Sequence, residues 1–262
     1  MARYQIILSY DGTDFLGFQR QGQGRTVQSV VETALHQIGW QGSSIIAAGR
    51  TDTGVHASGQ VVAFDLEWGH TPEELLHALN ANLPVDTAVQ HVSLAPAEFH
   101  PRYDASDRTY VYGLYCQPQR NPLRDRYAWR VHPLPQPELL NIAAAGFLGL
   151  QDYSWLQLPL KVNDNPVREV HVAQWNADGD GWRFTIQANA FLYHMVRRIV
   201  YLCVAVAQGR LAVDELQQHG TTGSFLPPGM APPQGLCLTE VRYLPYDRRK
   251  KSIPQTCGSC DE

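Results

Sequence analysis

The sequence predicts an α+β fold of two tandem ferredoxin-like (βαββαβ) units whose antiparallel sheets join around a central cleft. Three observations predict it. Short β-rich runs and amphipathic helical runs follow the order strand, helix, strand, strand, helix, strand, and that order then occurs a second time. A hairpin signal, "NADGDG" at 176–181, separates two β-rich runs. The 262 residues, 44% apolar and 18% charged, suffice for a sizeable core and fit a soluble globular protein.

The elements of the first half, residues 1–103, come in this order. "YQIILSY" is β-rich and ends at the turn pair Asp11-Gly12. From Thr26, residues Val27, Val30, Val31, Leu35 and Ile38 keep helical spacing. "SSIIAA" and "GQVVAFDL" are short apolar runs expected as strands. "TPEELLHALN" opens a second helix, with Thr71 as N-cap, Pro72 in the first turn and Glu74 placed for a capping box. "AVQHVSL" closes the half as a strand.

In the second half, residues 104–246, "RTYVYGLY" reads as a strand and "QPELLNIAAAGFL" as a helix. "REVHVAQW" and "WRFTIQAN" form the hairpin, with Trp182, Phe184, Ile186 and Ala188 alternating. "AFLYHMVRRIVYLCVAVA" is the next helix, and "LCLTEVRYL" is the last strand. "FLPPGMAPPQG" before it reads as a structured loop or lid, and residues 247–262 read as a disordered tail.

Cysteines at 116, 203, 237, 257 and 260 form an odd, scattered set rather than a disulfide framework, which points to a reducing, cytoplasmic setting. The start "MARYQIILSY" has no apolar stretch of secretory length. The longest apolar segment contains His194, Arg197 and Arg198, so it is expected as a core helix and not a membrane span. A net charge of −4 argues against coating nucleic acid by bulk electrostatics. Charge is uneven, however: arginines 102, 108, 120, 124, 126 and 130 face only Asp104, Asp107 and Asp125 between residues 102 and 130. That stretch is either a basic binding face or a solvated loop surface.

The segment "GRTDTGVHA" places one aspartate, Asp52, in a glycine-bounded turn. Such a residue can simply accept its own backbone amides. An aspartic protease needs two carboxylates sharing a proton, and this chain has a single Asp-Thr-Gly. A third reading is a lone carboxylate kept ionised by a nearby cation, because burial disfavours the charge and an arginine within about 4–6 Å restores it. Arg50 and Arg197 are the candidate cations. Arg197 lies on an otherwise apolar helix, where an unpaired guanidinium is costly. If Arg198 were the inward residue instead, Arg197 would be a surface arginine.

Seven segments, "YDGTDFLGFQRQ", "TVQSVVETAL", "AGRTDTGVHASGQVV", "NANLP", "FHPRYDASDRTYVY", "NAFLYHMVRRIV" and "APPQGLCLTEVRY", closely resemble, in order, those of the tRNA pseudouridine synthase A family. The resemblance covers nearly the whole chain. It implies a homodimer that converts uridines 38, 39 and 40 of the tRNA anticodon stem-loop to pseudouridine, with no cofactor and no metal. It further implies that Asp52 is the catalytic aspartate, that Tyr110 stacks on the target base, that Arg197 pairs with the aspartate, and that Arg50 braces the displaced nucleotide. The sequence departs from the family at Thr53, where Ala or Lys is commoner, and at Tyr201 and Ala207, where glycines are usual. Cys257 and Cys260 are half a zinc site at most.

The implied chemistry suits these residues. It breaks the bond from ribose C1′ to base N1, turns the base and rejoins it through C5, without net redox or hydrolysis. Consistently, the sequence has no HExxH, P-loop or GxSxG element. A stem base must be flipped out at a cost of a few kcal/mol, which aromatic stacking of about 1–3 kcal/mol offsets in part. Tyr110, with Tyr112 on the same strand face, is expected to supply that floor, and Tyr110 is one candidate base for the C5 proton. Asp52 either attacks C1′ or removes the C2′ proton. Recognition by backbone shape through the 102–130 arginines predicts binding that weakens steeply with salt. The alternative is a non-catalytic RNA-binding relative of the same fold.

Overall fold

Tyr4, Ile6, Leu8 and Tyr10 are buried in alternation, so the first strand turns one face to the core. In the computed structural model, which describes residues 1–156, 158–159, 165–222 and 226–244, that strand is β1 (Ala2–Tyr10). It is followed by α1 (Val27–Gln37), β2 (Ile46–Ala47), β3 (His56–Leu66), α2 (Pro72–Asn82) and β4 (Thr87–Leu94). Then come β5 (Ala105–Cys116), α3 (Pro122–Asp125), β6 (Trp129–Val131), α4 (Pro137–Ala145) and β7 (Gly149–Asp152). The chain continues through β8 (Val167–Asp178), β9 (Gly181–Ala188), α5 (Met195–Ala207), α6 (Val213–Thr222) and β10 (Leu236–Tyr243). Residues 247–262, including Cys257 and Cys260, lie outside the described residues.

The fold is α+β, with one mostly antiparallel ten-stranded sheet ordered β4-β1-β3-β10-β5-β9-β8-β7, β2 pairing with β3 and β6 with β5. The last strand lies near the middle, antiparallel to β5 and parallel to β3. Thr26 and Thr71 both cap their helices, and Thr71 with Glu74 forms the expected capping box. Every residue of α5 except Arg197 and Tyr201 is buried. No helix among the described residues is long and apolar enough to cross a membrane.

Two expected elements are shorter than the sequence suggests, and α3, β6, β7 and α6 have no counterpart in it. "SSIIAA" yields only the two-residue β2, because the Ile45 N–H is taken by the Glu32 carboxylate at 3.1 Å instead of a strand partner. The helix expected from Ala190 begins at Met195, because His194 adopts a left-handed backbone (φ 65°) that a right-handed helix cannot contain. The "LPPGMAPP" segment is a clasped loop. Arg198 donates to the carbonyls of Pro227 and Gly229, and the Tyr112 hydroxyl donates to that of Pro232.

The β3–β10 seam is tight at Gly59, where an added Cβ would stand 2.1 Å from the Thr239 carbonyl oxygen. Gly59→Ala is therefore expected to force the two strands apart, costing about 3 kcal/mol. For a chain of this size that lowers Tm by about 5–10 °C in a calorimetric scan. An unchanged Tm would show that the seam yields freely.

Candidate active site

The turn before β3 is fixed from three sides. The Gln60 side-chain amide, fully buried, accepts from Gly49 N–H at 3.3 Å and donates to Gly49 C=O at 2.9 Å. Thr51 hydrogen-bonds through its hydroxyl to Tyr10 at 2.8 Å, and its carbonyl accepts from Phe18 N–H at 3.0 Å. Gly54, at φ 77°, lets the chain reverse so that Val55 N–H reaches Asp52 C=O at 3.1 Å. Gly12 packs directly beneath, where any Cβ would lie 2.0 Å from the Val55 carbonyl. A rigid turn thus carries Asp52.

His56, the turn's histidine, is part of this bracket and not of the cleft. Its Nδ1 accepts from Gly12 N–H at 3.0 Å, and its Nε2 lies 3.1 Å from the carbonyls of Arg126 and Gln234. Asp11 beside it bonds Thr13, Arg126 and Tyr127. Burial opposes ionisation there, yet those bonds hold the Asp11 carboxyl well below the usual carboxylate range.

The second half supplies the companions of Asp52. Arg197 Nη1 lies 3.0 Å from Asp52 Oδ2, with side chains only 14% and 18% exposed. Arg197 Nε donates to Ala231 C=O at 2.8 Å, so the clasped loop aims the guanidinium. Of the two candidate cations, Arg197 makes the ion pair, while Arg50 is exposed on the cleft wall. The choice between Arg197 and Arg198 facing inward dissolves. Arg198 is buried too, satisfied by the carbonyls of Leu156, Pro227 and Gly229.

Tyr110 lines the same cleft, its ring edge-on to Phe191 at 5.2 Å. Burial, reinforced by the Asp52 charge, pushes its phenol well above the ordinary tyrosine range, so it is protonated at neutral pH. That weakens its candidacy as the base for a C5 proton. Tyr112 is fully buried and does not line the cleft, its hydroxyl being given to Pro232. Tyr110 thus lines the cleft beside Phe18, Tyr103, Phe191 and Tyr193, without Tyr112.

His194 was not singled out in the sequence. Its Nε2 lies 3.4 Å from Asp52 Oδ2. Burial pushes its imidazole down and Arg197 adds to this, against the opposing pull of Asp52, leaving it below the ordinary histidine value. The available signal was its place three residues before Arg197, one helical turn away.

The cleft measures about 890 Å³. Arg50, Arg102, Arg108, Arg168 and Arg197 line it, and Asp52 is its single acid among the described residues. Of the arginines between 102 and 130, Arg102 and Arg108 line the cleft. Arg124 pairs with Asp180, Arg126 with Asp11, and Arg130 bonds the carbonyls of Gln117 and Pro118. Arg108 is buried among carbonyls. The positive lining thus joins Arg102 and Arg108 to Arg50, Arg168 and Arg197 from distant parts of the chain. No group of three or more metal-ligating side chains occurs among the described residues.

A basic cleft around one arginine-paired carboxylate suits a nucleic-acid enzyme, and comparison with known proteins decides the family. The profile described as "tRNA pseudouridine synthase" matches residues 6–104 and 143–244. The chain belongs to that family. A member from Paraburkholderia phymatum, named tRNA pseudouridine synthase A, is 37% identical over 245 residues, covering 93% of this chain and 91% of the relative. One from Neisseria meningitidis serogroup B with the same name is 40% identical over 244 residues, covering 92% of each.

Within the family match, Arg50 and Asp52 fall in the first matched segment and His194 and Arg197 in the second, whereas Tyr110 lies between them. The departure at Tyr201 has a local counterpart. Its ring lies against Arg198 and Arg210, and Gly229, at φ 141°, passes where a Cβ would stand 2.3 Å from that ring.

Proposed function

We propose that this protein isomerises uridine to pseudouridine at positions 38, 39 and 40 of the tRNA anticodon stem-loop, working as a homodimer with Asp52 as the catalytic group. The observation that carries this reading is the Asp52–Arg197 pair, a lone ionised carboxylate in a cleft lined by arginines, in a chain of the tRNA pseudouridine synthase family. The arginines fit a phosphate backbone recognised by shape. Arg50, exposed on the wall, is placed to brace the displaced nucleotide, and Tyr110 is placed to stack on the flipped base.

Asp52, held by Arg197, either forms a bond to C1′ as N1 departs or takes the C2′ proton. The base then turns and C5 bonds to C1′ as the Asp52–C1′ bond breaks or the C2′ proton is returned; the C5 proton passes to water and N1 takes one up. Atoms balance without a cofactor. Two ferredoxin-like units, residues 1–103 and 104–246, account for the sheet. The neighbours β4-β1-β3-β2 and β10-β5-β9-β8 give each half the same relative order, and the β3–β10 pair is the seam.

Unmodified tRNA carrying tritium at uridine C5 tests the reading. The purified protein is expected to release tritium to water from the anticodon arm with no added metal or cofactor. Binding without release would make it a non-catalytic relative. Sedimentation of the same sample at a monomer mass would remove the homodimer.

A further inference from the structure

We propose that His194 is a positioning residue which, with Arg197, holds Asp52 Oδ2 and leaves Oδ1 as the oxygen that meets the nucleotide. This rests on the reading of Asp52 given above. Both contacts fall on one atom: Arg197 Nη1 at 3.0 Å and His194 Nε2 at 3.4 Å from Oδ2. Oδ1 has no hydrogen-bond partner among the described residues. A carboxylate hydrogen-bonded by Arg197 at one oxygen, with His194 Nε2 approaching the same atom, is restrained from swinging.

The backbone supports a dedicated role. His194 is the one non-glycine residue with positive φ among the described residues. That conformation strains any residue with a β-carbon, and glycine would occupy it freely. The side chain does not cap α5, although it stands at the N-cap position. Its ring is stacked on Tyr193, with centroids 3.6 Å apart and planes 27° from parallel, which fixes the direction of Nε2. Asp52, Arg197 and Tyr193 are the groups that face it. Kept neutral by burial and by Arg197, the ring presents an Nε2–H to the carboxylate without competing with Arg197 as a second cation. Catalytic contacts that are long in an unliganded site commonly tighten in the complex with substrate.

Three variants separate the side chain from the backbone. His194→Gly relieves the strain and removes the ring. His194→Phe keeps the stack on Tyr193 and removes the donor. His194→Gln restores an N–H near the position of Nε2. In tritium release from tRNA, Gly and Phe are expected to lose about 10–30-fold in kcat with KM within about twofold, the scale of one strong hydrogen bond. Gln is expected to recover most of that loss. His194→Gly should melt no lower than the parent protein, so its loss cannot be unfolding. Turnover of Gly or Phe within about twofold of the parent, or Gln no better than Phe, would overturn the proposal. Asp52→Asn runs alongside. If it is inactive while His194→Phe is normal, only the histidine's role falls; if it is active, the reading of Asp52 falls first.

Discussion

Asp52→Asn is expected to abolish tritium release, with kcat reduced at least about 1,000-fold, the scale of losing a nucleophile or general base. The substitution isolates charge. Asparagine has the same shape, and its amide oxygen can still accept from Arg197 Nη1, now 3.0 Å from Oδ2. The turn is held by Gln60, Thr51 and Gly12, none of which uses the Asp52 side chain. Tm should therefore stay within about 2–3 °C, because the asparagine oxygen still takes the Arg197 hydrogen bond and no donor is left unpaired. Binding of tRNA should hold or tighten, because the variant removes the one negative charge from a cleft lined by five named arginines. A filter-binding titration beside the release assay reads both quantities. Turnover within tenfold of the parent would mean that another group performs the chemistry.

How much of this site was legible follows from what each residue needed. Asp52 stood out because glycines and a neighbouring arginine framed it. Arg197 stood out because a charge on an apolar helix demands a partner. Arg198 posed the same demand, and its answer was invisible: its three backbone carbonyls come from Leu156, Pro227 and Gly229, and backbone acceptors leave no mark in composition. His194 was hidden by the helical pattern itself. Apolar spacing runs from Ala190 through Ala207, so the break at φ 65° carries no periodic signal.

The same physics divides the fold. Alternating strands and capped helices are local, and β1, α2 and the β8–β9 hairpin appear where pattern and caps place them. The parallel β3–β10 pairing joins residues such as His56 and Cys237, far apart in sequence, and depends on backbone complementarity at Gly59 and Thr239. Local charge counting failed for a related reason. The arginines between 102 and 130 look like one face, yet Asp11 and Asp180, remote in sequence, neutralise two of them. Meanwhile Arg102 and Arg108 of that stretch meet Arg50, Arg168 and Arg197 in the cleft, the last three from separate parts of the chain.

Replacing Arg197 by methionine is expected to cost about 100–1,000-fold in kcat and about 2 kcal/mol in stability. The guanidinium does two jobs at once. Nη1 holds Asp52, and Nε holds the Ala231 carbonyl, while Ala231 N–H returns a bond to the Arg197 carbonyl at 3.1 Å. Methionine fills similar volume, so packing against α5 survives and the deficit reports the charge. The carboxylate is left with His194, its Nε2 3.4 Å from Oδ2, as its nearest donor. Lysine keeps the charge but lacks the fork needed to reach both oxygens, so Arg197→Lys should recover activity only in part. The double variant Asp52→Asn/Arg197→Met sharpens the test. Removing both charges should restore much of the stability lost in Arg197→Met, since no uncompensated carboxylate remains, while turnover stays as low as in Asp52→Asn alone. Additive losses of stability in that cycle, or near-normal turnover of Arg197→Met, would show that the two side chains act independently.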